Sequence, residues 1–155
     1  MQKNIKEIIK NENNVDYEFF DVTADIGIYA YGNTLESSFE NAGKAMFDVI
    51  TNINTVQPKE YKEIAIESED LTSLLYDWLE ELLIIHEVQF LLLSKFEICS
   101  INFDDGNYYL KAKVYGENIN WNHHERGSEV KAITFHMMEV VEENNKYKLR
   151  VILDL

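Results

Sequence analysis

The sequence predicts an α+β fold: a mostly antiparallel sheet with two main helices packed on one face. Three observations predict it. Two long segments in the N-terminal half carry apolar residues at helical spacing. The C-terminal half instead alternates apolar and polar residues in successive short runs. Those runs are joined by tight polar turns such as Asp104-Asp105-Gly106-Asn107 and Glu143-Asn144-Asn145, so neighbouring strands run antiparallel.

Taken in order, residues 1–15 are polar and rich in Lys, Asn and Glu, and read as a mobile tail ahead of one domain at 16–155. Tyr17 to Asp21 reads as a short strand. Ile26 to Tyr31 is a second, with Ile26, Ile28 and Ala30 on one face. Thr34 is placed to cap a helix reaching about Ile50, with Leu35, Phe39, Ala42, Met46 and Val49 on one side. After Pro58, Tyr61 to Glu67 is a third strand. Asp70 caps the strongest helix, about Leu71 to Val88. Its apolar stripe of Leu71, Leu74, Leu75, Trp78, Leu82 and Ile85 must be buried on most of its surface. Phe96 to Phe103, Tyr108 to Tyr115, Val130 to Val141 and Tyr147 to Leu155 complete the strands. Gly116 to Gly127 between them reads as a polar loop.

Composition narrows the function. At 155 residues with 46% hydrophobic content, the chain is long enough for a substantial core. Fourteen basic residues against 28 acidic ones give a net charge of −14. Such a surface repels nucleic-acid phosphates and anionic membranes, and suits cations or a basic protein partner. No apolar run approaches the ~20 residues of a membrane span. The first residues lack the apolar stretch of a secretory signal, so a cytoplasmic protein is expected. Cys99 is the sole cysteine, which excludes an intrachain disulfide and a cysteine-cluster zinc site. There is no GxSxG, P-loop, GxGxxG, HExxH or CxxC, so the motifs make no case for an enzyme.

The candidate chemistry lies in carboxylates. Asp21 and Asp25 stand four apart in a turn opening into an apolar strand. A cation between them would offset their repulsion; alternatively, they bond to backbone N–H groups of the turn. At the other end of the chain, Leu149, Val151, Leu153 and Leu155 alternate to the last residue, and Asp154 points to the opposite face. A strand ordered to its end would hold the terminal carboxyl at a fixed point. Asp77 and Glu81, four apart on the long helix, read as a solvated face or a cation-holding pair. His123 and His124 read as part of a solvated loop, because adjacent histidines on an extended chain point oppositely. His136 reads as a structural strand histidine, and Lys131 as a weak candidate for a carboxylate partner.

Several blocks, in order, resemble the archease family: YEFFDVTADIGIYAYGNTLESSFENAGKAMFDVI, then DLTSLLYDWLEELL, Gly116-Glu117, EVKAITFHMMEV and the terminal VILDL. The resemblance spans about residues 17–155. It implies an archease-like fold and a small metal-binding accessory protein. Its partner would be the RtcB-type RNA ligase, which joins tRNA halves and repairs broken RNA with manganese and GTP. The accessory protein helps the ligase become guanylylated and turn over. Carried over residue by residue, the resemblance implies metal ligation by Asp25, Asp154 and an oxygen of Leu155, with Asp21 close by. Lys131 and His136 would line the same region, as would Asp77 and Glu81. All these ligands are oxygens, which suits calcium, magnesium or manganese. One departure stands out. The family block D-H-T-A-D has histidine where this chain has Val22. Two other readings compete: a metal-dependent hydrolase using Asp25, Asp154 and His136, and a general chaperone or protein-binding module.

Overall fold

The computed structural model describes residues 15–155. The expected mobile tail therefore lies, except for its last residue, outside the described residues. The described residues form seven strands and two α-helices in the order β1 (Tyr17–Val22), β2 (Asp25–Gly32), α1 (Leu35–Ile50), β3 (Glu60–Ser68), α2 (Leu71–Gln89), β4 (Leu91–Asp104), β5 (Asn107–Asn118), β6 (Ala132–Glu143) and β7 (Lys146–Asp154). A short 3-10 turn, Ile53–Thr55, follows α1.

All strand pairs are antiparallel, as expected, but they form two sheets rather than one. One sheet has the order β1-β2-β7-β6 and the other β3-β5-β4. Each helix touches both sheets: α1 packs on β2, β7 and β4, and α2 on β6, β3 and β4. This explains why both helices are so apolar. Phe39, Met46, Phe47, Leu74, Leu75, Trp78, Leu79 and Leu82 are fully enclosed. The Trp78 indole N–H, which burial would otherwise leave unsatisfied, donates to the Phe39 carbonyl at 2.9 Å and ties the two helices together.

Local chemistry sets the boundaries. Thr34 and Ser37 form a reciprocal capping box at the start of α1. The Asp70 carboxylate accepts the Ser73 N–H at 2.7 Å to start α2. At the end of α2, Phe90 adopts a left-handed conformation (φ 57°), so the chain reverses at once and β4 begins at Leu91 rather than at Phe96. The buried run Leu91-Leu92-Leu93 has no alternation, and hence no strand periodicity to read. The β4–β5 and β6–β7 turns each place two consecutive residues at positive φ (Asp105 and Gly106; Asn144 and Asn145), as type I′ hairpins require.

Candidate metal centre at the sheet end

The β1–β2 hairpin has a two-residue loop, Thr23-Ala24, and Ala24 sits at φ 64°. A left-handed alanine is costly, so the surrounding structure must hold it there. The loop aligns Val22 opposite Asp25. On the other side of β2, Asp25 stands opposite Asp154 of β7, and Asp154 stands opposite Ala132 of β6. Val22, Asp25, Asp154 and Ala132 therefore form one row across all four strands on one face.

Cross-strand partners have Cβ atoms about 4.5–5.5 Å apart, so the Asp25 and Asp154 carboxylates are neighbours despite being at opposite ends of the sequence. Both residues are half-buried. The N–H of Lys131 donates to the Asp154 carbonyl at 2.8 Å, which fixes the Lys131 backbone at the entrance to β6. Leu155 is half-buried and packs on the main core, so it is held in place next to Asp154. The alternation of the last strand is as expected: Leu149, Val151 and Leu153 are buried in the core, while Asp154 faces the opposite side.

The other candidates lie elsewhere. Asp21 is exposed and pairs with Ile26, one step off the row, so by strand alternation it faces away from Asp25. Asp77 accepts a 2.5 Å hydrogen bond from the Ser68 hydroxyl, fastening α2 to β3 in the second sheet. Glu81 is half-buried on the same helix. His136 is exposed in a stretch between Thr134 and Glu139 where β6 loses register with β7. Within that stretch Met137 takes φ 58° and its carbonyl accepts the Arg150 Nε–H at 2.7 Å. Among the described residues, no cluster of three His, Cys, Asp or Glu side chains includes Asp25 or Asp154. A third His, Cys, Asp or Glu ligand is therefore not at hand beside this pair among the described residues.

One such cluster does exist, at Glu117, His123 and His124. Contrary to the expected solvated loop, His124 is only 3% exposed. Its Nδ1 accepts the Asn120 N–H at 3.0 Å, so the proton resides on Nε2 and points at the Glu117 carboxylate, 3.0 Å away. Glu117 also accepts the Gln57 N–H at 2.7 Å and faces Lys59 at 3.5 Å. These contacts, the Gln57 bond foremost, depress the Glu117 carboxyl to a pKa of about 2. A cation would have to displace the Nε2 proton, so this group is a strut closing the loop. The loop is pinned further where Gly127 and Ser128 donate to the orphan carbonyls of Ile50 and Val49 at the end of α1. A Cβ at Gly127 would lie 2.3 Å from the Val49 oxygen.

A cavity of about 490 Å³ opens at the opposite end of the first sheet, around Gly32, Val141 and Lys148. None of Asp25, Asp154 or His136 lines it. Among the described residues, no helix is long and apolar enough to cross a membrane.

Residues 17–155 match the archease protein family. A protein archease of Methanothermobacter thermautotrophicus is 53% identical over 139 residues, covering 90% of this chain and 98% of that relative. One from Sulfurisphaera tokodaii is 44% identical with the same coverage. The solution structure of a Methanobacterium thermoautotrophicum protein is similar at TM-score 0.81 and 52% identity, covering 90% of this chain and 99% of that one. A Thermotoga maritima crystal structure, described as an archease and possible chaperone, has TM-score 0.56 at 19% identity, covering 88% and 94%, and shares the fold. These relatives are named as proteins, not as enzymes, in keeping with the missing catalytic motifs. With both the sequence blocks and the two-sheet architecture accounted for, the chain belongs to the archease protein family.

Proposed function

We infer that this protein is a metal-binding accessory factor that activates an RtcB-type RNA ligase, promoting its guanylylation and turnover in tRNA splicing and RNA repair. The observation that carries this reading is the cross-strand pair Asp25–Asp154, set beside Leu155 and the Lys131 backbone in a member of this family. Two carboxylates and the oxygens of Leu155 form a hard donor set that fits calcium, or manganese or magnesium. Asp25, Asp154 and Leu155 would hold the cation, which would supply positive charge to offset the carboxylate pair. The chain's own residues do the rest. The hairpin holds Asp25, β7 holds Asp154, and the Lys131 ammonium offers an anion contact at the rim.

The acidic balance of −14 supports a protein partner over direct RNA binding. The position of the half-buried row, away from the cavity, supports an accessory role over a hydrolase. A hydrolase would need Asp25, Asp154 and His136 around an enclosed water. The exposed large apolar side chains sit on β1, β3, α2, the Phe90 turn, β4, β5 and β6, which gives little support to a single chaperone surface.

Charge reversal tests the reading. Asp25→Lys and Asp154→Lys should each abolish ligase activation while circular dichroism shows an unchanged fold. Retained activation in both variants would refute it.

A further inference from the structure

Lys148 is the described residue that the proposed role leaves unexplained. It is 3% exposed, and its ammonium is the one buried side-chain polar atom among the described residues with no hydrogen-bond partner. In the register of the first sheet its neighbours are Tyr31 on β2 and Val141 on β6, neither of which offers a carboxylate. The Tyr31 hydroxyl is already committed to Glu18. The nearest compensation is the Tyr29 ring, with Nζ 5.6 Å from its centroid. Enclosing an ammonium without an acceptor costs free energy that a bound anion would recover.

A cavity adjoins Lys148. Lys148 lines the cavity of about 490 Å³, together with Lys146, Asn33, Asn41, Tyr31 and Tyr147. Thr34 and Ser37 bring the start of the 16-residue helix α1 to the same wall, so the positive end of its dipole faces the space. Two acidic residues also line it. Asp16 is paired with Lys44 at 3.9 Å, and Glu143 stands opposite Lys146 in the hairpin. Glu139 and Glu143 of β6 draw the ammonium toward its charged form. Arg150 and, above all, burial oppose them, which lowers the Lys148 pKa to about 8.

We propose that this cavity is a binding site for a small organic oxyanion, its phosphate or carboxylate head held by Lys148 at the start of α1 and its body lying between Tyr31 and Tyr147. The site lies at the far end of the first sheet from Asp25 and Asp154. Strand length alone separates the two by roughly 20 Å, so this inference stands independently of the proposed activator role.

Amide NMR of the full chain, titrated separately with inorganic phosphate and with acetate at constant ionic strength, tests it. Saturable shifts at Thr34, Ser37 and Lys148 are expected for at least one anion, and the stronger arm assigns the head group. Lys148→Met should remove the saturable shifts, whereas Lys111→Met, on the exposed face of the second sheet, should keep them. As a check free of substitution, the Lys148 side-chain resonance of the wild-type chain should titrate at higher pH when the anion is present. Absence of saturable shifts with both anions would overturn the proposal, as would equal binding by Lys148→Met or an anion-independent Lys148 titration.

Discussion

Replacing Asp25 by Asn separates the structural from the ligand role of the carboxylate pair. The amide keeps the shape of the side chain and removes one of two like charges standing directly opposite in β2 and β7. Like charges in that position destabilise a sheet by about 0.2–1 kcal/mol. Without divalent cation, Asp25→Asn should therefore be slightly more stable than wild type. For a 155-residue chain, each kcal/mol moves Tm by about 2–4 °C, which predicts a rise of about 0.4–4 °C. With calcium at one hundred times its Kd, the wild type should gain about 2.7 kcal/mol by mass action, or about 5–10 °C. The variant should gain almost nothing. The two proteins therefore exchange order when calcium is added. Differential scanning calorimetry with EDTA and then with calcium reads both arms. The reasoning fails if the variant keeps the calcium shift, or if it melts well below wild type in EDTA, which would make Asp25 a structural residue instead.

Three further outcomes follow from the same geometry. Ala24→Gly should raise stability by about 0.5–1 kcal/mol, because the left-handed conformation costs alanine about 1–2 kcal/mol and glycine's greater unfolded-state entropy returns only part of that; the urea midpoint at constant m-value measures it. Glu117 is depressed from 4.5 to about 2, so its contribution is complete above pH 4.5 and is lost as pH falls toward 2. Glu117→Gln should accordingly lose less stability than wild type between pH 5 and pH 3, read as the change in urea midpoint. Val22→His should tighten cation binding about tenfold, as groups supporting a ligand typically do, because position 22 lies directly across from Asp25. Calorimetric titration would show the change, and unchanged affinity would mean that the departure at Val22 acts elsewhere.

What the sequence disclosed was local. Helix periodicity, the Thr34 and Asp70 caps and the Asp105-Gly106 turn depend on residues a few positions apart, and each appears where expected. The alternation of β7 likewise placed Asp154 opposite in sense to its leucines. Pairing between distant strands was not legible, because nothing in the alternation says that β2 should take β7 as neighbour or that β3 should join β5. The division into two sheets was missed for that reason. The burial of His124 was hidden too, since it depends on Glu117 seven residues away and on the Asn120 N–H. The enclosure of the Lys148 ammonium likewise shows only in the assembled sheet, because it depends on neighbouring strands rather than on local sequence. The bond from Ser68 to Asp77 gives a structural reason for a carboxylate that spacing alone had paired with Glu81.

Multiple-turnover RNA joining by the host's RtcB-type ligase, with this protein added at substoichiometric amounts across a manganese series, tests the activator role. Many ligations per ligase are expected with wild-type protein and a single round with Asp25→Lys or Asp154→Lys. Joining that is unchanged at every ratio of wild-type protein to ligase would contradict it.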